Sequence, residues 1–152
     1  MGDILKEIQN YALRLLTGKM YTKKDLLSKL EDRFSRDEEN IVKVIKSLEE
    51  QNLINDEEYV RAYLTYELDT NIRGSLGYFQ KLYQKGISKE LFYKVWQEMS
   101  PDEAELASKL LRRNLLRFSM EKDKLKRKEK MIRYLSGRGF DYSVIMRCLE
   151  KS

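Results

Sequence analysis

The sequence predicts an all-α protein, built as an elongated tandem array of three three-helix repeats. The 152 residues include one proline, Pro101, and seven glycines, so few positions interrupt a helix. Apolar residues recur at spacings of three and four, as in Ile41, Val44 and Leu48, and no stretch shows the strict alternation of a strand. Charged residues make up 36% of the chain, against about 25% in a typical soluble protein, which favours helices with much exposed surface.

Nine helices are predicted, and most of their ends carry a recognisable signal. Thr22 and Asn55 each precede an acid three residues later, which is the spacing of a capping box. Ser100 is the clearest predicted start, because it would place the single proline at the first helical position. Gly86 and Gly139 fall where helices should stop, since glycine adopts the closing left-handed conformation without strain. The predicted helices are 3–17, 22–33, 38–51, 56–69, 73–85, 89–99, 101–117, 124–137 and 142–150.

The predicted helices repeat with a period of about 50 residues. Asp37, Ser88 and Asp141 each precede a helix that has apolar residues four, seven and eight positions later. The helix before each of these three positions also matches in its apolar residues. A period in this range is typical of helical arrays whose units bury their faces on their neighbours. The predicted domains are therefore residues 1–52, 53–100 and 101–152, of which the last is basic.

The composition excludes several kinds of active site. The chain has no histidine and a single cysteine, Cys148, so one chain can form neither a zinc site of cysteine and histidine nor a disulfide. Catalysis with a histidine base is excluded for the same reason. Gly74 and Gly77 lack the lysine of a phosphate loop and are more typical of a loose helix start or a close helix crossing. We therefore expect no enzyme and no metal site, and we expect Cys148 to be a core residue because it falls on an apolar face.

The chain also lacks the signals of a membrane or exported protein. No apolar run approaches the 18 or so residues of a membrane-spanning helix. The N-terminus lacks the apolar core of a signal peptide. We therefore expect no membrane contact and a cytoplasmic location.

The C-terminal third is strongly basic. Between Lys109 and Arg138 there are twelve basic and three acidic residues, whereas the rest of the chain has 18 basic and 22 acidic residues. Such asymmetry favours a negatively charged partner, either an acidic protein surface or DNA phosphate. The alternative interpretation is that these are ordinary helix faces exposed to solvent.

Helical periodicity places the basic residues on two stripes. The helix predicted over 101–117 carries Ala104, Ala107, Leu110, Leu111 and Leu115 on its apolar arc, and Lys109, Arg112, Arg113 and Arg117 on the opposite arc. The next helix carries Lys126, Lys130 and Arg133. Two neighbouring stripes would form a positive groove, and these seven basic residues are the main candidates for partner binding. Four further candidates accompany the aromatic residues of the middle repeat, namely Arg61, Arg73, Lys81 and Lys85. Lys85 fits equally well as compensation of a helix dipole at a C-terminus.

Four segments, which follow one another along nearly the whole chain, resemble the RecX family. Residues 53–60 (LINDEEYV) resemble the segment that opens that family's second repeat, and residues 82–87 (LYQKGI) resemble a later segment of the same repeat. Residues 138–140 (RGF) are similar to its C-terminal segment, and residues 21–30 (YTKKDLLSKL) to its first-repeat helix. The first repeat departs from the pattern, because Phe34 stands where the other repeats have glycine.

The resemblance implies a regulator of the RecA recombinase that is not an enzyme, needs no cofactor and has no small-molecule substrate. RecX proteins bind RecA and its filament on single-stranded DNA, and they suppress strand exchange, ATP hydrolysis and coprotease activity in DNA repair, recombination and the SOS response. The resemblance further implies an elongated body in the filament groove, and the basic third is compatible with direct DNA contact. Capping of filament ends and filling of the groove both stay open. The alternative is a helical nucleic-acid-binding protein with tandem helix-turn-helix-like units.

Overall fold

The computed structural model describes residues 2–150, and this part of the chain is all-α, as predicted. It contains α1 (Gly2–Gly18), α2 (Lys23–Arg33), α3 (Glu38–Glu50), α4 (Asp56–Thr70), α5 (Ser75–Tyr83), α6 (Lys89–Met99), α7 (Glu103–Arg113), α8 (Leu115–Ser119), α9 (Lys124–Gly137) and α10 (Tyr142–Glu150). No strand occurs within these residues. None of the helices between residues 2 and 150 is both long and apolar enough to cross a membrane.

Polar side chains start several helices as predicted. The side-chain oxygens of Thr22, Asn55 and Ser88 each accept a hydrogen bond of 3.1–3.2 Å from the backbone N–H three residues later. These bonds satisfy donors that lack a partner in the first turn of a helix. Asp37 precedes α3 without such a side-chain bond. Gly86 and Gly139 adopt positive φ angles of 88° and 93° after α5 and α9, as expected of closing residues.

The prediction that Ser100 starts a helix is wrong. Ser100 instead closes α6 in the left-handed conformation, with φ at 48°. The side chain of Asp102 starts α7 by accepting a 3.1 Å hydrogen bond from the Glu105 N–H. Asp102 and Glu105 have the spacing of a capping box, so this start two residues downstream competes with Ser100 and leaves the proline outside the helix.

The single helix predicted over 101–117 is also wrong, because the chain breaks at Asn114 into α7 and α8. The Asn114 Nδ2 donates to the Leu110 carbonyl at 2.9 Å, and short polar side chains of this kind compete with the helical hydrogen-bond pattern. The break turns Leu115 outward. This residue was predicted on the apolar arc, yet its side chain is 62% exposed.

Buried apolar side chains form three clusters in chain order, which define three helical units. The first unit, α1–α3, buries Ile8, Ala12, Leu26, Leu30, Ile41, Val44, Ile45 and Leu48, together with Ile54. The middle unit, α4–α6, has an aromatic cluster with Tyr78, Phe92 and Trp96. The third unit, α7–α10, buries Phe118, Leu135, Phe140 and Cys148 among others, which confirms Cys148 as a core residue. The predicted domain limits at residues 52 and 100 fall between these units and stay a prediction.

The accessible surface supports the predicted elongated shape. The chain exposes 10,055 Å², and its mass is 18.2 kDa. A compact monomer of this mass would expose about 8,100 Å². The excess agrees with a tandem array, in which each unit has its own core and much of its surface meets solvent.

The middle and third units contact each other directly through their backbones, at Gly74 and Gly77 on one side and Arg138 and Gly139 on the other. We call this contact the joint. The Gly74 N–H donates to the Arg138 carbonyl at 2.9 Å. A Cβ added at Gly74 would lie 2.3 Å from the Gly139 oxygen, and one added at Gly139 would lie 2.1 Å from the Gly77 nitrogen. The Arg138 guanidinium donates to the Ile72 carbonyl at 2.7 Å. Gly74 also stands at the start of α5, where no side chain caps the helix, so the structure agrees with the helix start and adds a close backbone contact with the turn after α9.

Tyr78 stabilises the turn between α4 and α5 through hydrogen bonds to its backbone. Its side chain is fully buried, and its hydroxyl accepts from the Arg73 N–H at 3.0 Å. The same hydroxyl lies 3.0 Å from the Asn71 carbonyl, to which it can donate. Burial raises the pKa of Tyr78 to about 12, and the bond from Arg73 works in the opposite direction.

Replacement of Tyr78 by phenylalanine should lower the free energy of unfolding by about 1–3 kcal/mol, because it leaves buried backbone groups without a partner. The folded-state pKa lies above the unfolded one, so the contribution of the phenol is complete below about pH 10 and is lost as the pH rises toward 12. Denaturant unfolding at about pH 8 and about pH 11 measures both effects. The wild type should lose more stability than the variant between these two conditions. The same loss in both proteins would contradict the assignment.

Candidate partner-binding surface

The structure brings three of the seven predicted basic residues of the C-terminal third to one groove. Arg117 on α8 and Lys130 and Arg133 on α9 line a cavity of about 340 Å³. Phe118 and Tyr134 form the rest of its wall. We call this cavity the basic groove.

Asn114 and Phe118 hold α8 against α9 and so shape the basic groove. The Asn114 Nδ2 donates to the Tyr134 hydroxyl oxygen at 3.2 Å. The Phe118 side chain is buried, and its ring meets the Tyr134 ring edge-on with centroids 5.5 Å apart. An edge-on aromatic pair with a buried ring fixes the two helices more specifically than apolar burial alone.

The three cations of the basic groove have different surroundings. The Arg117 guanidinium lies over the Tyr134 ring, 5.1 Å from its centroid, which is a cation–π contact. The Lys130 Nζ lies 2.9 Å from a carboxylate oxygen of Glu121, and this bond lowers the pKa of the Glu121 carboxyl. All three basic side chains are exposed. The Lys130 side chain is 50% exposed but the Glu121 side chain only 22%, so a partner's anion would have to compete with Glu121 for Lys130.

This arrangement can bind an anionic group. Guanidinium groups present paired N–H donors that match the oxygens of a carboxylate or a phosphate. The Tyr134 ring adds an aromatic wall, which is also able to contact a flat group. The titratable groups that line the groove are two arginines, a lysine and a tyrosine.

The other four predicted residues of the third unit lie on α7 and at the start of α9. Arg112 pairs with the Glu105 carboxylate of its own helix at 2.8 Å. Arg113 reaches the Asp69 carbonyl at the end of α4, with the nitrogen and oxygen 3.4 Å apart. Lys109 is half-buried, and Lys126 is exposed in the first turn of α9. Thus Arg112 and Arg113 have intramolecular contacts, and the predicted stripe on α7 is separate from the lining of the basic groove.

Arg61 belongs to an ion-pair network of the middle unit. Its guanidinium bonds the Glu57 carboxylate at 3.3 Å and also the Glu98 carboxylate. The Lys94 Nζ also bonds the Glu57 carboxylate, with the nitrogen and oxygen 2.6 Å apart. The bonds to Glu98 and Glu57 raise the pKa of Arg61, and the bonds from Lys94 and Arg61 lower the pKa of Glu57. This network links α4 to α6, which gives Arg61 a structural role.

Lys85 links the middle unit to the first unit. Its Nζ lies 3.3 Å from an Asp25 oxygen on α2. Partial burial acts to lower the pKa of Lys85, but the nearby Tyr59 and Asp25 outweigh it, so the pKa is raised. The contact with Asp25 thus adds a structural role for Lys85 to the two that the sequence suggested, partner binding and compensation of a helix dipole. Of the remaining candidates, Arg73 is half-buried beside Gly77 and Lys81 is exposed on α5.

Sequence reasoning missed several residues that shape the surface. Phe118 follows Leu111 by seven residues, a helical spacing that signals a shared apolar face, but it lay beyond the predicted helix. Glu121 precedes Lys130 by nine residues across a loop, so no helical spacing rule links them. Glu57 lies four residues before Arg61 on α4, a spacing from which the pair was predictable, whereas Glu98 meets Arg61 only through the packing of α4 on α6.

The three helical units and their separate cores define the class of the protein, an all-α tandem repeat. The family model described as "RecX, third three-helix domain" matches residues 101–149. The regulatory protein RecX of Clostridium perfringens (strain 13 / Type A) is 34% identical over 148 residues, which cover 92% of this chain and 68% of the relative. That of Caldanaerobacter subterraneus subsp. tengcongensis is 31% identical over 147 residues, which cover 95% of this chain and 70% of the relative. The chain belongs to the RecX family of regulatory proteins.

Solved structures show the same fold. The crystal structure of RecX from Lactobacillus salivarius superposes with a TM-score of 0.90 at 24% identity, covering 99% of this chain and 97% of that one. A second crystal structure, of a regulatory protein RecX, gives a TM-score of 0.87 at 27% identity and covers 98% of this chain and 73% of that one. The chain spans about two thirds of the length of the curated relatives described above, 68% and 70%.

Proposed function

We propose that this chain binds RecA and its filament on single-stranded DNA and inhibits or modulates the recombinase, ATPase and coprotease activities. This would place it in the regulation of DNA repair and recombination. The observation that carries the proposal is the likeness to RecX over the whole array, with 34% identity along 92% of the chain. We further propose that it acts by binding, without catalysis, in the cytoplasm.

The basic groove supports the proposal because a nucleoprotein filament offers anions of two kinds. Carboxylates lie on its protein surface and phosphates on its DNA, and guanidinium groups bind both. The proposed contact set keeps all the residues predicted from the sequence. These are Lys109, Arg112, Arg113, Arg117, Lys126, Lys130 and Arg133 of the third unit, and Arg61, Arg73, Lys81 and Lys85 of the middle unit.

The proposed mechanism is occlusion. An elongated body that spans adjacent RecA subunits would block the filament groove or the growing end. The joint between Gly74 and Arg138 supports this mechanism, because direct backbone contact leaves the middle and third units little freedom to move apart. Inhibition would then follow from rigid coverage of more than one subunit at a time.

Equilibrium binding to immobilised single-stranded DNA, either bare or coated with RecA and a slowly hydrolysed ATP analogue, tests the proposal. RecA of Clostridium perfringens is a suitable partner, since its RecX is 34% identical to this chain. We expect the filament to bind at least about tenfold more tightly than bare DNA at about 0.15 M salt. Equal affinity for both surfaces, with a steep loss of affinity as salt rises, would contradict the proposal and favour a general nucleic-acid-binding protein.

A further inference from the structure

The outer face of α8 carries exposed apolar side chains that do not line the basic groove. Leu116 and Met120 are 83% and 81% exposed, and Leu115 is 62% exposed. At about 100° per residue these three positions fall within an arc of about 140°. Phe118 lies outside this arc and is buried, so its packing fixes which face of α8 meets solvent. We call Leu115, Leu116 and Met120 the α8 patch.

The local density of exposed apolar side chains is what sets the α8 patch apart. Single exposed apolar residues are ordinary on any protein surface. The described residues, 2–150, have eleven large apolar side chains that are exposed, and four of them lie within residues 115–125, including Leu125 at 67%. The helix does not need them for its own packing, because Asn114 and Phe118 already hold it to α9.

The charge around the α8 patch indicates the chemistry of its partner. From Arg117 to Lys130 the sequence has seven basic and three acidic residues. Two of the acids have internal contacts, since Glu121 pairs with Lys130 and Asp123 accepts the Leu125 N–H at 2.9 Å. The segment that carries the patch and follows it therefore has a surplus of cations, and two of them, Arg117 and Lys130, line the adjoining basic groove. The complement of the patch is an apolar site bordered by carboxylates, which is a protein surface.

DNA fits this surface less well. Phosphates would pair with the neighbouring cations, but they offer no apolar surface to Leu116 or Met120. Base stacking on proteins uses aromatic rings or guanidinium planes. Leu115, Leu116 and Met120 offer neither, and the neighbouring Arg117 guanidinium already lies over the Tyr134 ring. A protein partner accounts for both the apolar side chains and the adjoining cations, whereas DNA accounts for the cations alone.

We propose that the α8 patch is a hydrophobic anchor by which the third unit docks on a protein surface with an apolar site ringed by aspartate and glutamate. This inference rests on the proposed function and assigns the patch to the protein of the RecA filament instead of its DNA. Arg117 lies at the edge of the patch and also lines the basic groove, so the two surfaces are continuous. The cations steer the encounter, and the apolar side chains hold the complex together.

The double variant Leu116→Asn/Met120→Gln tests this proposal without a change of charge. We expect its affinity for RecA-coated single-stranded DNA to fall by about 30-fold, the size of an interface hot spot, and the fall to persist as salt rises from about 0.05 M to about 0.2 M. Its affinity for bare single-stranded DNA should stay within about twofold of the wild type. The matched control Val42→Thr/Leu53→Asn changes two side chains of the first half of the chain, 60% and 46% exposed, and should leave both affinities unchanged.

Circular dichroism and thermal unfolding should show both variants folded, because all the altered side chains are exposed. The single variant Met120→Gln provides a milder probe of the same face. If the wild type binds the filament and the Leu116→Asn/Met120→Gln variant binds it with the same affinity, this inference is overturned and the proposed function is not. Failure of the wild type to bind the filament would overturn the proposed function, and this inference with it.

Three further outcomes would show a different occupant of the α8 patch and so overturn the inference. An equal loss of affinity for bare DNA would show that the patch contacts nucleic acid. Self-association of the wild type in sedimentation, abolished in the variant, would show a second copy of this chain. Binding of the wild type to phosphatidylglycerol vesicles, abolished in the variant, would show a lipid surface.

Discussion

Replacement of Gly139 by alanine should lower the free energy of unfolding by about 3 kcal/mol. Gly139 has φ at 93°, a conformation that costs about 1–3 kcal/mol for a residue with a side chain. The added Cβ would also lie 2.1 Å from the Gly77 nitrogen and 2.5 Å from its Cα. Relief of this overlap requires the backbones to separate, and overpacking of this kind costs about 1–3 kcal/mol more. The hydrogen bond from Gly74 to Arg138 should weaken at the same time.

Urea unfolding followed by circular dichroism measures this loss. Gly137→Ala is the matched control, because it makes the same chemical change two residues away in the last residue of α9. A Cβ at Gly137 would meet no atom within 4 Å, so we expect a gain of up to about 1 kcal/mol from helix propensity. A Gly139→Ala variant as stable as the wild type would show that the joint adapts to a side chain.

Charge reversal of Arg117 and Arg133 together should weaken binding to RecA filaments at least about 100-fold. Both side chains line the basic groove, and both are exposed. The variant Arg117→Glu/Arg133→Glu removes two cations and places two carboxylates where the partner's anion would lie. Repulsion then adds to the loss of charge-assisted hydrogen bonds.

Lys29→Glu/Lys46→Glu is the control for this change, since it alters net charge by the same amount at exposed lysines of α2 and α3. Long-range steering depends on net charge and is screened by salt, so both variants should bind more slowly at low salt. At about 0.15 M salt the control should stay within about threefold of the wild type. Equal weakening in both variants would contradict a specific role of the basic groove.

Helix periodicity and capping residues account for most of the fold that could be predicted. The acids that follow Thr22 and Asn55 and the glycines at 86 and 139 marked real helix ends. Spacings of three and four identified residues such as Ile41 and Val44 that are buried. These signals are local, so the sequence displays them directly.

The failures arise where two local preferences compete. Ser100 and Asp102 are both able to cap a helix, and the Asp102 start is the one that forms. Asn114 interrupts a pattern that otherwise continues at helical spacing, so Leu115 moves from the predicted core to the surface. Helix propensity alone does not predict the break, since the Asn114 side chain bonds the Leu110 carbonyl and also the Tyr134 hydroxyl, and the second of these contacts is tertiary.

The candidate site was predictable in its charge but not in its geometry. The excess of basic residues from Lys109 to Arg138 is visible in the sequence. The meeting of Arg117 with Lys130 and Arg133 depends on how α8 contacts α9, which no spacing rule describes. The structure also explains the RGF segment, since Arg138 binds the Ile72 carbonyl, Gly139 permits the backbone contact and Phe140 is buried in the third cluster.

Single-stranded-DNA-dependent ATP hydrolysis by RecA, with this chain titrated in, tests the claim of RecA regulation most directly. Binding to free DNA is measured in parallel at the same salt. We expect ATP hydrolysis to fall under conditions where free DNA binding is weak. Inhibition of ATP hydrolysis at a ratio well below one chain per RecA subunit would indicate capping or destabilisation of filaments. Inhibition only near saturation of the filament would indicate filling of the groove. Undiminished hydrolysis together with strong DNA binding would contradict the account and favour a nucleic-acid-binding protein.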